Sequence, residues 1–178
     1  VCPATIDLSG AEIELVDVSE REYRLSVALR EYVATHREID IVLIDCPPSL
    51  GLVTLNVMVA ANEVVIPIQA EYYALEGLSQ LWRTVERIGA DLNPGLQVSG
   101  MLLTMADKRT RLSEEVESEV RSHFPEHTFE TVIPRSVRIS EAPSYGQTVI
   151  TYDGKNVGAI AYRKAALELS QRIPSDAR

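Results

Sequence analysis

Four short apolar runs rich in β-branched residues constrain the fold of this chain more than any other feature. They lie at residues 41–44, 64–68, 98–103 and 131–133, and none of them alternates cleanly between apolar and polar side chains. Such runs are typical of strands that are buried on both faces, as in parallel sheets. We therefore predict four strands that belong to a mainly parallel sheet.

Helical patterns occupy the stretches between these runs. Apolar residues recur at helical spacing over residues 75–92 and 157–173, and capping signals at Ser19 and Ser113 predict two further helix starts. Strands that alternate with helices of this length imply right-handed crossovers. The predicted fold class is α/β, with a doubly wound, mainly parallel sheet that carries helices on both faces.

Composition limits the environment and the partners of the chain. Its 178 residues, 46% of them hydrophobic, predict a single domain over residues 1–178. No run approaches the roughly 20 apolar residues that cross a bilayer, so we expect a cytoplasmic protein without a membrane partner. The formal net charge of −9 argues against coating DNA through overall basicity, and any DNA contact has to be local.

Asp45 ends the first apolar run and is followed by Cys-Pro-Pro-Ser at residues 46–49. Ligands of doubly wound sheets bind beyond the carboxyl ends of the strands. A carboxylate at that place can organise Mg²⁺ directly or through water, as the Walker B aspartate does in P-loop ATPases. An aspartate there can also cap the helix predicted to begin near Leu50. The residues alone leave both roles open.

Three longer motifs carry a family resemblance. They are residues 44–51 (IDCPPSLG), 66–77 (IPIQAEYYALEG) and 132–146 (VIPRSVRISEAPSYG). These motifs resemble three signature blocks of the ParA/Soj family of partition ATPases, and they occur in the family's order. The resemblance extends from about Pro3 to the last helix. It implies a P-loop NTPase-like fold of the MinD/ParA superfamily, of which the chain would be the C-terminal three-quarters.

The resemblance implies ATP and Mg²⁺ as cofactors and assigns residues to them. Asp45 would be the catalytic Walker B acid and would hold Mg²⁺ directly or through water. The residues assigned to the nucleotide are Pro47, Pro48 and Ser49, in the switch that senses the γ-phosphate, and Pro134 and Arg135, beside the adenine.

A local basic cluster is the candidate DNA-binding surface. Arg109 and Arg138 match positions at which members of the family contact DNA phosphates, and Lys108, Arg111 and Arg135 complete the cluster in an otherwise acidic chain. Guanidinium groups suit phosphate contacts that need no base recognition. The alternative is that these cations pair with glutamates of the neighbouring helix, namely Glu114, Glu115 and Glu117.

A phosphate-binding loop is missing from the sequence. Such a loop needs glycines whose amides surround the phosphates, followed by a lysine and a hydroxyl residue. The Gly154-Lys155 pair lacks both the following hydroxyl residue and the upstream glycine. The missing strand–helix units would take roughly 60 residues. We therefore expect an N-terminally truncated chain that is inactive by itself, whereas the full-length protein is an ATPase.

The function implied by the resemblance is chromosome or plasmid partitioning. The full-length protein would form a homodimer on ATP, bind DNA non-specifically on the nucleoid, and be reset when a ParB-type partner stimulates hydrolysis. One alternative is a non-catalytic ParA-like module that regulates a full-length ATPase by pairing with it. A second alternative is a MinD-like membrane-associated division-site ATPase, which would need a terminal basic amphipathic helix.

Overall fold

The computed structural model describes residues 1–47, 49–71 and 74–173, with the backbone only for residues 9 and 74–76. Contacts along the chain divide it into two units. The first unit combines Val1–Glu63 with Thr84–Gln97, and the second combines Val64–Arg83 with the chain from Val98 onward. That residues 1–178 form one domain stays a prediction.

Helices predominate among the described residues. In chain order the elements are the 3-10 turn Ile6–Gly10, α1 (Ala11–Glu14), the 3-10 turn Arg21–Tyr23, α2 (Arg24–Thr35), α3 (Leu52–Ala60), β1 (Glu63–Gln69), α4 (Ala74–Asp91), β2 (Gln97–Thr104), α5 (Arg111–His123), α6 (Val137–Glu141), the 3-10 turn Ala142–Tyr145, α7 (Val149–Tyr152) and α8 (Val157–Arg172). The helices predicted over residues 75–92 and 157–173 are thus confirmed as α4 and α8. In the described part of the chain, no helix has the length and apolar character needed to cross a membrane.

Strands β1 and β2 form a parallel pair. The Gln97 amide donates to the Asn62 carbonyl at 3.0 Å at the start of the two strands, and the Ala70 amide donates to the Thr104 carbonyl at 3.0 Å at their end. The first residues of β1 therefore lie beside the first residues of β2, and the last beside the last, as in any parallel pair of strands. The runs at 64–68 and 98–103 are confirmed as strands.

The segment before α6 runs beside β2 in the same direction. It makes isolated parallel bridges, Met101 with Thr128 and Ala106 with Pro134. Between them the Ile133 amide donates to the Leu103 carbonyl at 2.9 Å. The fourth predicted strand is therefore present as an extended segment paired to β2, although its pairing is too interrupted to form a regular strand.

Successive side chains of β2 face opposite helical layers of the second unit. Met101 and Leu103, both fully buried, pack in a cluster that includes Val120 of α5. Leu102 packs in a separate cluster with Ala165 of α8. Each buried side chain stabilises the fold by about 1.5–3 kcal/mol. Helices therefore cover both faces of β2, and the predicted α/β fold class is confirmed.

The first predicted strand, over residues 41–44, is wrong for this structure. These residues form no regular element, and the side chains of Ile41 and Leu43 are 71% and 87% exposed. A strand needs a neighbour for its amides and carbonyls, and no described strand pairs with this segment. An apolar run indicates the burial that a strand would have in a sheet, but it does not supply the neighbouring strand.

The predicted helix starts at Ser113 and Ser19 are also corrected. Helix α5 begins at Arg111 behind Thr110. Ser113 lies inside that helix, where its buried hydroxyl accepts a hydrogen bond from the Asp107 amide at 3.1 Å. The helix that follows Ser19 is preceded by a 3-10 turn and reaches α-helical geometry only at α2. The Ser113 hydroxyl therefore bonds the loop that leads into α5 instead of capping the helix.

Two asparagines organise the first unit. The buried Asn56 of α3 accepts from the Leu25 amide at 3.1 Å and donates to the Arg21 carbonyl at 2.9 Å, which fixes α3 against the start of α2. Asn93 donates to the Met58 and Ala61 carbonyls at 2.9 and 2.8 Å. The Asn93 side chain thus supplies donors to two carbonyls at the end of α3 that have no donor within the helix.

Candidate functional site

Asp45 lies in the irregular segment between α2 and α3, and its side chain is exposed. Gly51 occupies the N-cap position of α3 and no side chain caps that helix end. The alternative that Asp45 caps the helix is therefore wrong in this structure. Pro47 and Ser49 are also exposed, and Pro48 lies outside the described residues.

Cys46, next to Asp45, is half-buried. Burial raises the pKa of its thiol, and the neighbouring Asp45 carboxylate raises that pKa further because it disfavours a second negative charge. The thiol therefore stays protonated at neutral pH. A protonated thiol is a poor nucleophile, so Cys46 is not favoured as a reactive residue.

The Asp45 carboxylate could be one ligand of a magnesium ion whose remaining ligands are phosphate and water oxygens. Within the described residues, no group of three or more His, Cys, Asp or Glu side chains is placed to hold a metal ion. Magnesium is usually bound through one or two protein carboxylates, while phosphates and water supply the remaining ligands. One exposed carboxylate meets that requirement. The phosphates themselves would need amides that the sequence of this chain does not provide.

The loops that follow the strands of the second unit meet in a charged edge, formed by Glu71, Asp107, Arg109 and Arg135. Arg135 follows the extended segment beside β2, and its amide donates to the Ala106 carbonyl at 2.9 Å. Its guanidinium donates to a Glu71 carboxylate oxygen at 2.8 Å. This ion pair joins residues that follow two different strand ends, which is where ligands bind in sheets of this class.

Asp107 fixes the orientation of Arg109 at this edge. Its carboxylate accepts from the Arg109 amide at 3.0 Å and from Nε and Nη2 of the same residue at 2.9 and 2.8 Å. These hydrogen bonds, with a smaller contribution from the charge of Arg135, hold the pKa of Asp107 well below its usual range. The Arg109 side chain is nevertheless 87% exposed. The Arg109 guanidinium is thus held in one orientation and is still accessible to solvent.

Lys108 and Arg111 flank Arg109 on the surface. Lys108 is exposed. Arg111 donates from Nε to a Glu115 carboxylate oxygen at 2.9 Å, one turn along α5, and its side chain is 90% exposed. Pairing with a glutamate of the neighbouring helix is therefore observed for Arg111, whereas Arg109 pairs within its own loop.

Arg138 lies in a separate group, here called the Arg138 cluster, whose members are Arg138, Glu141, Tyr145, Tyr152 and Asp153. The guanidinium donates from Nη1 to a Glu141 carboxylate oxygen at 2.9 Å, and its Nε lies 3.7 Å from an Asp153 carboxylate oxygen. It also lies over the Tyr152 ring, 5.9 Å from the ring centroid. The hydrogen bond that Arg138 donates to Glu141 is the main cause of the raised pKa of Arg138.

The acidic partners at these sites were missed by the sequence patterns. Glu71, Asp107 and Asp153 received no role, although each contacts a candidate site residue. For Glu71 and Asp107 a signal existed, because each lies a few residues beyond a strand end. Asp153 has no such signal, since it is 15 positions from Arg138 and is brought there by the folding of α6 and α7.

Known proteins resemble this chain over almost its whole length. A family model described as "AAA domain" matches residues 1–98. The chromosome partitioning protein ParA of Myxococcus xanthus is 51% identical over 172 residues, covering 97% of this chain and 60% of that protein. The sporulation initiation inhibitor protein Soj of Bacillus subtilis is 52% identical over 170 residues, covering 96% of this chain and 66% of that protein. The chain therefore spans less than two thirds of the length of these relatives.

A solved structure shares the fold. The crystal structure of cobyrinic acid a,c-diamide synthase from Mycobacterium smegmatis, with bound ADP and magnesium, superposes with a TM-score of 0.77 at 38% sequence identity. The match covers 95% of this chain and 60% of that one. Here too the chain corresponds to part of a longer protein.

Proposed function

This chain belongs to the AAA-domain family and, within it, to the ParA/Soj chromosome partitioning proteins, and from that premise we propose that the complete product of its gene is a DNA-partitioning ATPase. In this proposal ATP drives formation of a homodimer, the dimer binds DNA without sequence preference, and a ParB-type partner stimulates hydrolysis and release. The protein acts in the cytoplasm, on the nucleoid, without a membrane partner. The cargo is a chromosome or a plasmid.

The observation that carries this proposal is the identity of about half of all residues with proteins named for chromosome partitioning, across 97% of the chain. The three motifs at residues 44–51, 66–77 and 132–146 lie within the matched length. Glu71 and Arg135, from the second and third motifs, lie just beyond β1 and the segment paired with β2, at the edge where a doubly wound sheet binds its ligands.

Asp45 and Arg135 are the residues that we assign to the nucleotide. Asp45, exposed and without a capping role, would hold the Mg²⁺ that neutralises charge on the phosphates. Arg135, with Pro134, would lie beside the adenine, and its ion pair with Glu71 at 2.8 Å fixes the guanidinium at the loop's surface. Pro47, Pro48 and Ser49 would respond to the γ-phosphate.

The 178 residues alone are proposed to be inactive, because their sequence has no glycine-rich loop to surround the phosphates. The test compares ATP hydrolysis by this chain with hydrolysis by the complete gene product, both with a random duplex. Hydrolysis and ATP-dependent duplex binding by the complete product alone support the proposal. If neither form hydrolyses ATP, the non-catalytic interaction module replaces the ATPase. Equal turnover by both forms contradicts the assigned inactivity.

Arg109 is the best-presented candidate for contact with DNA phosphates. Its side chain is 87% exposed, and the Asp107 carboxylate accepts from only two of the five N–H groups of the guanidinium. Lys108 and Arg111 extend the same surface. We therefore expect Arg109→Ala to weaken binding of every duplex about equally and to reduce the slope of log affinity against log salt by about 0.9.

Arg87→Ala is the matched control for Arg109→Ala. Arg87 is 85% exposed and pairs with an aspartate, Asp91, so its removal changes the net charge equally. Binding by Arg87→Ala in the complete gene product should retain its salt slope. Equal losses of affinity and slope in the two variants would reject a phosphate contact at Arg109 and leave only a general effect of charge.

A further inference from the structure

The Arg138 cluster carries more negative than positive charge. Its single cation, Arg138, contacts two carboxylates, those of Glu141 at 2.9 Å and Asp153 at 3.7 Å. The three side chains remain between 39% and 51% exposed. A DNA phosphate that approaches Arg138 therefore meets a site with a formal charge of −1. That is an unfavourable environment for a polyanion.

Contacts between α6 and α8 hold this arrangement in place. Ser136, at the N-cap of α6, donates from its hydroxyl to the side-chain oxygen of Asn156, at the N-cap of α8. Ile139 of α6 packs beside Gly158 in the first turn of α8. The loop that contains Asp153 leads directly into α8, so these contacts fix its carboxylate near Arg138.

Tyr152 supports the guanidinium from a different direction. Its ring lies under Arg138 and stacks on the Tyr145 ring with a centroid separation of 5.0 Å and an interplanar angle of 19°. A cation over an aromatic face is attracted by the ring's electron density. The two rings and the two carboxylates together favour the position of Arg138 that is seen here over a position extended into solvent.

Arg109 provides the contrast within the same unit. It has one carboxylate partner, Asp107, and its side chain is 87% exposed against 51% for Arg138. The pair is neutral overall, and the guanidinium lies at the surface. The two arginines that the family resemblance treats alike therefore stand in different electrostatic environments.

We propose that Glu141 and Asp153 form an acidic clamp that competes with DNA phosphates for Arg138 and so limits the affinity of the protein for DNA. This inference rests on the proposed DNA-binding function and deepens it. A phosphate that binds Arg138 competes with Glu141 for the guanidinium, and it then lies close to that carboxylate. With the clamp intact, Arg138 contributes less to duplex affinity than Arg109 does.

The test is Glu141→Gln in the complete gene product, measured with ATP and a random duplex. Glutamine keeps a side-chain oxygen that can accept from Arg138 but removes the charge. Removing a unit charge about 4 Å from a phosphate corresponds in water to about 1 kcal/mol, a change of roughly fivefold. We expect duplex affinity to rise by that factor. The slope of log affinity against log salt should steepen by about 0.9 as Arg138 engages a phosphate.

Glu119→Gln is the matched control. Glu119 is an exposed glutamate of α5 outside the Arg138 cluster, and its substitution changes the net charge by the same amount. Tighter binding and a steeper slope in Glu141→Gln but not in Glu119→Gln support the clamp. Equal effects of the two substitutions overturn it, because they show only the response to net charge.

A double-mutant cycle assigns the effect to Arg138. Glu141→Gln should tighten binding in the natural background and have no effect in an Arg138→Ala background, and Asp153→Asn should behave in the same way. A gain that persists without Arg138 overturns the clamp. If the natural protein binds DNA and Glu141→Gln binds it equally well, only the clamp is refuted. If the natural protein binds no DNA, the proposed function is refuted and the clamp with it.

Discussion

The contact between Gly158 and Ile139 predicts that alanine at position 158 destabilises the protein although it improves a helix. Gly158 is buried in the first turn of α8. A Cβ atom added there would lie 2.6 Å from Ile139 Cδ1 and 2.8 Å from Cγ1. Carbon atoms pack at about 3.5–4.0 Å, so the Ile139 side chain, which packs against two core clusters, must shift by about 1 Å.

Two opposing terms set the magnitude for Gly158→Ala. Overpacking of this kind costs about 1–3 kcal/mol, and replacing a helical glycine gains up to about 1 kcal/mol. Subtracting the full gain leaves a net loss of up to about 2 kcal/mol. Gly89 of α4 is the matched control, because an added Cβ there meets only the Leu96 carbonyl at 4.0 Å. Gly89→Ala should therefore stabilise by about 0.5–1 kcal/mol.

Urea unfolding followed by far-UV circular dichroism measures both changes, with the shift in midpoint read at constant slope. Ile139→Ala removes the atoms that block a side chain at position 158, so Gly158→Ala should cost nothing in that background. Opposite signs for the two glycine variants, with rescue by Ile139→Ala, support the packing argument. If the single variant Gly158→Ala is more stable than the natural protein, the packing argument is refuted, because helix propensity then outweighs the contact with α6.

Three further predictions concern the core, a polar network and the nucleotide site. Leu103→Ala should lower the free energy of unfolding by about 2–5 kcal/mol, because Leu103 is fully buried, whereas Leu167→Ala at a 62% exposed position should change it by less than about 0.5 kcal/mol. Glu168 accepts from the Glu130 and Thr131 amides at 2.8 and 3.0 Å and from Arg172 at 2.8 Å; Glu168→Gln should cost about 1–3 kcal/mol at pH 7 in the same urea assay. Burial alone would raise the pKa of Glu168, but the amide and arginine hydrogen bonds outweigh it and lower the pKa. The carboxylate's stabilisation is therefore present above the ordinary glutamate pKa of about 4.3 and is lost as the pH falls through the lowered value. The difference between natural protein and Glu168→Gln should accordingly shrink in urea titrations below pH of about 4, and a constant difference would contradict the assignment. Asp45→Asn in the complete gene product should reduce ATP hydrolysis by about 100-fold or more and leave the unfolding midpoint unchanged, since Asp45 is exposed; unaltered hydrolysis would remove Asp45 from the nucleotide site.

Local sequence patterns predicted the elements whose stability is decided by near neighbours. Helices α4 and α8 follow from apolar residues at helical spacing, and β1 and β2 follow from β-branched runs. The same reasoning failed for residues 41–44, where apolar character was present but no strand among the described residues pairs with the segment. It failed again at Ser113, which was predicted to begin a helix. Ser113 lies inside α5, and its hydroxyl accepts a hydrogen bond from the Asp107 amide.

The candidate site divides in the same way. The sequence identified Asp45, Arg109 and Arg138 as residues of interest from their motifs. The patterns did not pair the arginines with their distant partners, because Glu71 is 64 positions from Arg135 and Asp153 is 15 positions from Arg138. Those distances along the chain are closed only by the folding of the second unit.

By itself, the sequence determined the alternation of strands with helices, the α/β class and the family, because these depend on residue type and on spacing over a few turns. Only the tertiary structure decided the electrostatic state of each candidate arginine. Arg109 is oriented by one carboxylate and exposed, while Arg138 is held by two carboxylates beside an aromatic ring. The physical reason is that charge interactions act through space over a few ångströms, so the partner of a charged group is set by the fold.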